Sequence, residues 1–225
     1  MSHDERESSV AVQDYVKAIW SVGAGGDAAT GAIAQHLGVT PASVSGMVRR
    51  LEGDGLVERE PYRGVRLTDA GRQLALEMVR HHRLLETFLA RALGMSWDRI
   101  HAEAEVLEHH ISEELEDLID QHLGHPEFDP HGHPIPRRDG TVPDQLLLSL
   151  ADAPAGTTAL IAQVRDDSAE LLRYLADHRL EVGAHITVVG REPVADTVTV
   201  RSGDEPEVVL GMGLALRIDL TEEER

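Results

Sequence analysis

The chain has 225 residues, 41% of them apolar, which suits two or three small domains with real cores and excludes global disorder. It has no cysteine, so disulfides and thiolate metal sites are excluded and any metal must be held by histidine and oxygen ligands. The net charge of −19 argues against a nucleic-acid partner, but residues 1–75 hold 8 Lys/Arg and 10 Asp/Glu, a net of only −2, so the first third is free to approach phosphate.

No apolar run approaches the roughly 18–20 residues that span a bilayer, and the opening MSHDERESS has no apolar signal core, so a cytoplasmic location and no membrane partner are expected. In chain order, VAVQDYVKAIWSV over 10–22 spaces Val12, Tyr15, Val16, Ile19 and Trp20 three or four apart, predicting a helix ended by GAGGD. Thr30 is expected to cap a short helix, GAIAQHL, stopped at Gly38. Thr40 and Pro41 open the next, PASVSGMVRRLEGDG, which buries Val44, Val48 and Leu51. LVERE, PYRG and VRLT read as strand, turn and strand. A long helix runs from Asp69 to about Leu93 with Leu74, Met78, Leu85 and Leu89 among its apolar positions. SWDRI, capped by Ser96, starts a further helical stretch that continues to about His122. The Pro/Gly-rich stretch over 124–156, with HPEFDPHGHPIPRRDGTVP, breaks periodicity and reads as linker. The runs ALIAQV, HITVVG, TVTV, EVVL and ALRIDL, interrupted by the helix SAELLRYLADH, predict a small, mostly β, barrel-like module. The fold class expected is mainly α with a small β domain. The boundaries expected are 1–75 for a winged helix-turn-helix, 76–140 for a helical domain, 141–156 for a linker and 157–225 for the β module.

Two short helices, a tight turn and a β-hairpin are the pattern of a winged helix-turn-helix, whose second helix enters the DNA major groove. With Val44, Val48 and Leu51 inward, Ala42, Gly46 and Arg49 face away, flanked by Ser43, Ser45 and Arg50. Small residues permit close approach to base edges, hydroxyls reach bases or phosphates, and arginines reach phosphate or guanine. Thr40 and the helix N-terminus can hold a phosphate. Arg63, at the tip of PYRG, is placed for a backbone or minor-groove contact. Winged helices also serve as protein–protein modules, and in that reading the serines are merely solvated.

The stretch HAEAEVLEHHISEE over 101–114 crowds histidines and acids together. On a wheel of about 100° per residue from His101, Glu105 falls near +40°, Glu108 near −20° and His109 near +80°. Ala104, Leu107, Ile111, Leu115 and Leu118 centre near about −80°, so the polar set borders the apolar face, whereas Glu103, Val106, His110, Glu114 and Asp117 lie opposite it. Carboxylates beside a core are costly unless paired or metal-bound. On the preceding helix His82 and Glu86 are four apart and share a face. The two helices thus offer one set of two carboxylates and a histidine and another of two histidines and a carboxylate, each suited to a first-row divalent ion. The competing reading is a salt-bridged bundle in which Arg80, Arg83 and Arg91 neutralise the acids. His110, His122, His125, His131 and His133 read as polar surface or loop residues rather than ligands.

Taken together, QDYVKAIW, the winged helix IAQHLGVTPASVSGMVRRLEGDGLV, RHHRLLETFL, HAEAEVLEHHIS, DPHGHPIP and the β-rich module resemble the diphtheria toxin repressor family of metal-dependent regulators. The chain is most similar to the manganese-responsive members that keep a C-terminal SH3-like (FeoA-like) domain. The resemblance implies a homodimer that binds palindromic operator DNA when metal-loaded, repression of metal-uptake genes, no enzymatic activity and no small-molecule substrate. It implies a primary site of Asp14, Glu105, Glu108 and His109, and an ancillary site of His82, Glu86 and His101, hence two ions per subunit. By loose alignment Asp167 and Glu170, near the start of the C-terminal helix, would add ancillary ligands. Helix-start acids favoured by the dipole are the alternative for that pair. Iron-responsive members place methionine at the position of Asp14 and cysteine at that of Glu105. Hard oxygen at both positions favours Mn²⁺, with Fe²⁺ as the alternative and Co²⁺ or Zn²⁺ as substitutes in vitro. Short manganese regulators carry glutamate where Lys17 stands, so a closely spaced ion pair is not expected, and the separate ancillary site is favoured. A di-metal carboxylate enzyme would normally need four ligand helices and a cavity. A repressor sensing an organic ligand, its His/Glu face purely structural, is the other alternative.

Overall fold

The computed structural model describes residues 3–60, 64–165 and 168–221. They form two compact units, Met1–His82 with Val106–Glu113 and Pro136–Val142, and Arg83–Glu105 with Glu114–Ile135 and Pro143–Arg225.

The first unit is built on α1 (His3–Gly23), α2 (Thr30–His36), α3 (Pro41–Gly53), the hairpin β1 (Val57–Glu60) and β2 (Gly64–Leu67), and the first half of α4 (Asp69–Arg91). Val16, Ile19, Ile33, Val44, Val48, Leu51 and Val65 close its core. Thr40 caps α3 as expected, its hydroxyl accepting from the Ser43 amide at 3.2 Å, with Pro41 in the first helical position. Thr30 is instead the first residue of α2 and Ala29 its cap. β1 and β2 pair antiparallel from Val57–Leu67 to Glu60–Gly64. Gly71, early in α4, lies against β1's entry: a Cβ there would meet the Leu56 carbonyl oxygen at 2.0 Å.

The second unit holds the rest of α4, most of α5 (Trp97–Leu107), α6 (Glu113–Leu123), α7 (Ala169–Asp177), α8 (Met212–Ala215) and an antiparallel sheet in the order β3-β8-β4-β5-β6-β7. The strands are β3 (Leu148–Ser149), β4 (Thr158–Val164), β5 (His185–Glu192), β6 (Thr197–Ser202), β7 (Val208–Gly211) and β8 (Ile218–Thr221). Register shifts at Ile161/Gln163 and Val188/Gly190 are bulges of the kind that bend a sheet. Ile161, Val164, Leu172, Leu175, Val188, Val200 and Leu220 fill the core beneath α7, and Trp97 packs against it.

Two sequence expectations change. The helical stretch predicted from 97 to about His122 breaks: α5 ends at Leu107, residues 108–110 form a turn, and α6 restarts at Glu113. The wheel therefore cannot be carried past the break to Leu115 and Leu118, and these two, together with Leu107 at the end of α5, are exposed, whereas Ala104 and Glu108 are buried. Ser112 followed by Glu113 and Glu114 is a helix-start signal that the wheel overrode. Second, the stretch read as linker is largely tied down. β3 lies within it and pairs with β8, and Leu150, Ala151 and Ala153 join the core. The DPHGHP loop is pinned to β4, because the Val164 amide donates to the His131 carbonyl at 2.9 Å. Among the described residues no helix is long and apolar enough to cross a membrane.

Gly132, in that loop, has φ +85°, and a Cβ there would lie 1.9 Å from the Ala162 carbonyl oxygen. Gly132→Ala combines left-handed strain with a backbone clash, so it should destabilise the protein by at least about 2 kcal/mol in urea denaturation.

Candidate metal centres and nucleic-acid interface

The face of α3 opposite its buried residues is exposed, as its apolar spacing implies. Thr40, Ala42, Ser43, Gly46, Arg49 and Arg50 are exposed over the buried Val44, Val48 and Leu51. Two hydroxyls have local duties: Thr40 Oγ1 caps the helix and lies 2.9 Å from Ser43 Oγ, and Ser45 Oγ donates to the Pro41 carbonyl at 2.9 Å. Ser45 is thus turned back on its own helix. Arg50 sits 3.8 Å from Asp54, an exposed pair that holds it weakly. Arg63 lies outside the described residues.

In the same unit, α1, α4 and the turn after α5 bring a polar cluster together. Glu108 is 1% exposed. Lys17 Nζ donates to both of its oxygens, at 2.8 and 2.7 Å. His82 Nδ1 lies 2.5 Å from Glu108 Oε2 and 3.2 Å from Lys17 Nζ. His109 Nε2 lies 3.0 Å from Asp14 Oδ1 and 3.6 Å from Glu108 Oε1. Asp14, Glu108 and His109 each offer a ligand atom, all within 4.8 Å of one another. Gln13, beside Asp14 on α1, is a residue the sequence reading missed. Its Oε1 is 2.9 Å from His109 Nδ1. An amide oxygen accepts, so Nδ1 carries the proton and Nε2 is left as the ligand nitrogen facing Asp14. This donor set of two carboxylates and an imidazole fits a divalent first-row ion.

The second unit carries another cluster. Glu86 is buried between two imidazoles, its Oε1 3.2 Å from His101 Nδ1 and its Oε2 3.6 Å from His131 Nδ1. His131, discounted from sequence as a loop histidine, is 2% exposed and stacks on Trp97 at 5.8 Å between centroids. Its Nε2 donates to the Trp97 carbonyl at 2.9 Å, which leaves Nδ1 for a proton or a metal on the Glu86 side. Burial opposes the protonated ring. The Glu86 hydrogen bond and charge, the Asp129 charge and the Trp97 carbonyl outweigh it, and His131 is held above the ordinary histidine range. Asp129, His131 and His133 also bring ligand atoms within 4.8 Å of one another. Asp129 Oδ1 accepts from the His131 and His133 amides at 2.8 and 2.9 Å, whereas its buried Oδ2 has no hydrogen-bond partner. That Oδ2 lies 3.3 Å from His133 Nδ1 and 3.6 Å from Arg83 Nε, and a buried carboxylate oxygen beside imidazole nitrogens is a donor set that suits a cation. Asp-x-His-x-His within DPHGHP was the available signal, and the low expectation for histidines in Pro/Gly stretches concealed it.

Two arginines of the competing salt-bridged bundle reach backbone carbonyls. Arg83 donates to the Pro134 carbonyl at 2.5 Å and sits 3.6 Å from Asp129, and Arg80 donates to the Pro136 carbonyl, while Arg91 is exposed. Glu105 is half-exposed, its carboxylate 3.9 Å from His101 Nε2. Glu170 is exposed in the first turn of α7, and Asp167 lies outside the described residues. His110 and His122 are exposed, and His125 pairs with Asp120 at 3.0 Å on the surface.

Family models match the chain in three consecutive segments: the iron-dependent repressor N-terminal DNA-binding domain over 9–65, its metal-binding and dimerisation domain over 68–137, and the FeoA domain over 148–221. The iron-dependent repressor IdeR of Mycobacterium tuberculosis is 34% identical over 169 residues, covering 69% of this chain and 73% of that one. The chain belongs to the iron-dependent repressor family. This family of metal-dependent transcriptional repressors has manganese members too. The regulator MntR of Lysinibacillus sphaericus is 40% identical over 102 residues, covering 45% of this chain and 73% of its own. A solved manganese-dependent transcriptional repressor in complex with manganese superposes with a TM-score of 0.86 at 39% identity, covering 94% of this chain and all of that one. These iron-dependent repressor relatives are DNA-binding regulators, not enzymes.

Gln13→Leu removes the acceptor that fixes the His109 tautomer. In calorimetry it should weaken divalent-metal binding roughly 10–100-fold, and circular dichroism should show an unchanged fold.

Proposed function

We propose that this chain is a manganese-dependent repressor that binds palindromic double-stranded operator DNA as a homodimer in the cytoplasm. The observation that carries this reading is the Asp14–Glu108–His109 cluster. It joins α1, part of the DNA-reading domain, to the turn after α5 through oxygen and nitrogen donors alone. Hard oxygen ligands suit Mn²⁺, and Fe²⁺ is the second reading because iron-dependent repressors are among the relatives. Glu86 and His101, with the buried His131 and Asp129 adding donors beside Glu86, would make an ancillary site, for two ions per subunit.

A bound ion would neutralise the carboxylates that converge here. Asp14 and Gln13 then anchor α1, and with it α3, against the turn that carries Glu108 and His109. In a dimer this fixes the spacing of two recognition helices, which must lie about 34 Å apart to meet successive major grooves. Ala42, Ser43, Gly46, Arg49 and Arg50 would face base edges and phosphates, with Thr40 at the helix start. Coupling between metal and DNA of about 1–3 kcal/mol is the ordinary range for such selection between geometries. The exposed Leu93, Val106, Leu107, Leu115 and Leu118 supply apolar surface for a second copy.

Asp14→Ala should raise the Mn²⁺ concentration needed for half-maximal operator binding at least about tenfold, equivalent to about 1.4 kcal/mol, and leave the dimer mass by light scattering unchanged. Undiminished metal activation in that variant would refute the anchoring role. Operator binding titrated with Mn²⁺, Fe²⁺, Co²⁺ and Zn²⁺ tests the metal assignment: full activation by Fe²⁺ with silence to Mn²⁺ overturns it, and metal-independent binding points to a repressor of another kind.

A further inference from the structure

We infer that Lys17 is a built-in competitor for the primary metal site: without metal its ammonium occupies the two-oxygen seat of Glu108, and metal binding requires its release. The inference rests on the metal-site reading above. The chain contains 20 arginines and a single lysine, and that lysine is Lys17. Its Nζ bridges the two Glu108 oxygens at 2.8 and 2.7 Å, where a bidentate cation would sit. Glu108 is fully buried and the Lys17 side chain is 16% exposed, so water screens the pair much less than a surface pair. Lys17 stands three residues after Asp14 on α1, so one helix face delivers both a ligand and the competitor.

The choice of lysine has a chemical logic. An arginine fork would form two parallel, directional bonds to the carboxylate and hold it in one geometry. An ammonium is a compact point charge on a flexible four-carbon stem, which can withdraw without moving the helix. A divalent ion and an ammonium a few ångströms apart repel, so both cannot hold Glu108 closely. Lys17 thus gives the buried carboxylate a partner in the metal-free protein. It also weakens metal binding below what Asp14, Glu108 and His109 alone would give, raising the metal concentration at which the protein responds.

The test uses the full-length chain. Calorimetry with Mn²⁺ should show Lys17→Met binding at least tenfold more tightly than wild type. Its melting temperature without metal should fall, and the rise on adding Mn²⁺ should widen. Lys17→Arg should bind no more tightly than wild type. In the wild type, acetylation by an amine-reactive ester followed by peptide mass spectrometry reads the only lysine directly. Lys17 should be protected without metal and labelled with saturating Mn²⁺, and this readout decides the matter if Lys17→Met does not fold. Unchanged or weaker Mn²⁺ binding by Lys17→Met, or equal labelling in both states, overturns the inference. A wild-type protein that binds Mn²⁺ with an affinity Asp14→Ala leaves untouched, or binds none, overturns the metal-site reading itself.

Discussion

A buried carboxylate, Glu108, is the constraint around which the first unit is organised. It is 1% exposed, and an uncompensated buried charge costs about 3–5 kcal/mol. Three elements supply compensation: α1 sends Lys17, α4 sends His82, and the residue next in the chain is His109. Packing alone would let α1 slide along its apolar stripe of Val16 and Ile19. The charge fixes which turn of α1 meets which turn of α4. Helix α3 packs into the same core through Val44 and Val48, so its placement depends on the same packing that α1 enters.

Both clusters share a pattern: each key imidazole is held at one nitrogen and turns the other toward a carboxylate. Gln13 holds His109, and the Trp97 carbonyl holds His131. Orientation of both rings is thus settled by these hydrogen bonds, and its ordering entropy is spent during folding. The clusters differ in their resting charge. In the first, an ammonium neutralises the acid; in the second, a histidine pushed toward its protonated form and an arginine flank Glu86 and Asp129.

Much of this was legible in the residues. Apolar spacing gave α1, α3 and α4, the Thr40–Pro41 pair gave the start of α3, and alternating apolar runs gave β4 to β8. Of the four residues that the resemblance implied for one site, Asp14, Glu108 and His109 come together, while Glu105 lies beside His101. Helical periodicity could not reveal the break at 108–112, because a wheel assumes continuity, and the Ser112–Glu113–Glu114 start was outweighed by a tidy apolar face. Nor could spacing reveal Gln13 or His131, which act through a neighbour's ring nitrogen and a backbone carbonyl far along the chain. Such contacts carry no period. The 124–156 stretch was misjudged for a related reason: proline and glycine signal irregular backbone, and irregular backbone is not the same as loose backbone.

The seating of Gly132 on β4 bears on how this architecture can be shortened. The DPHGHP loop takes its form from the Ala162 carbonyl it abuts and the Val164 amide it receives, both on the β-rich module. Trp97, which orients His131, packs against that module's core as well. Truncation before β3 would therefore remove the template on which Asp129 and His131 are arranged. A shorter protein made this way would be a differently wired sensor, with the second cluster dismantled, rather than the same sensor lacking an appendage.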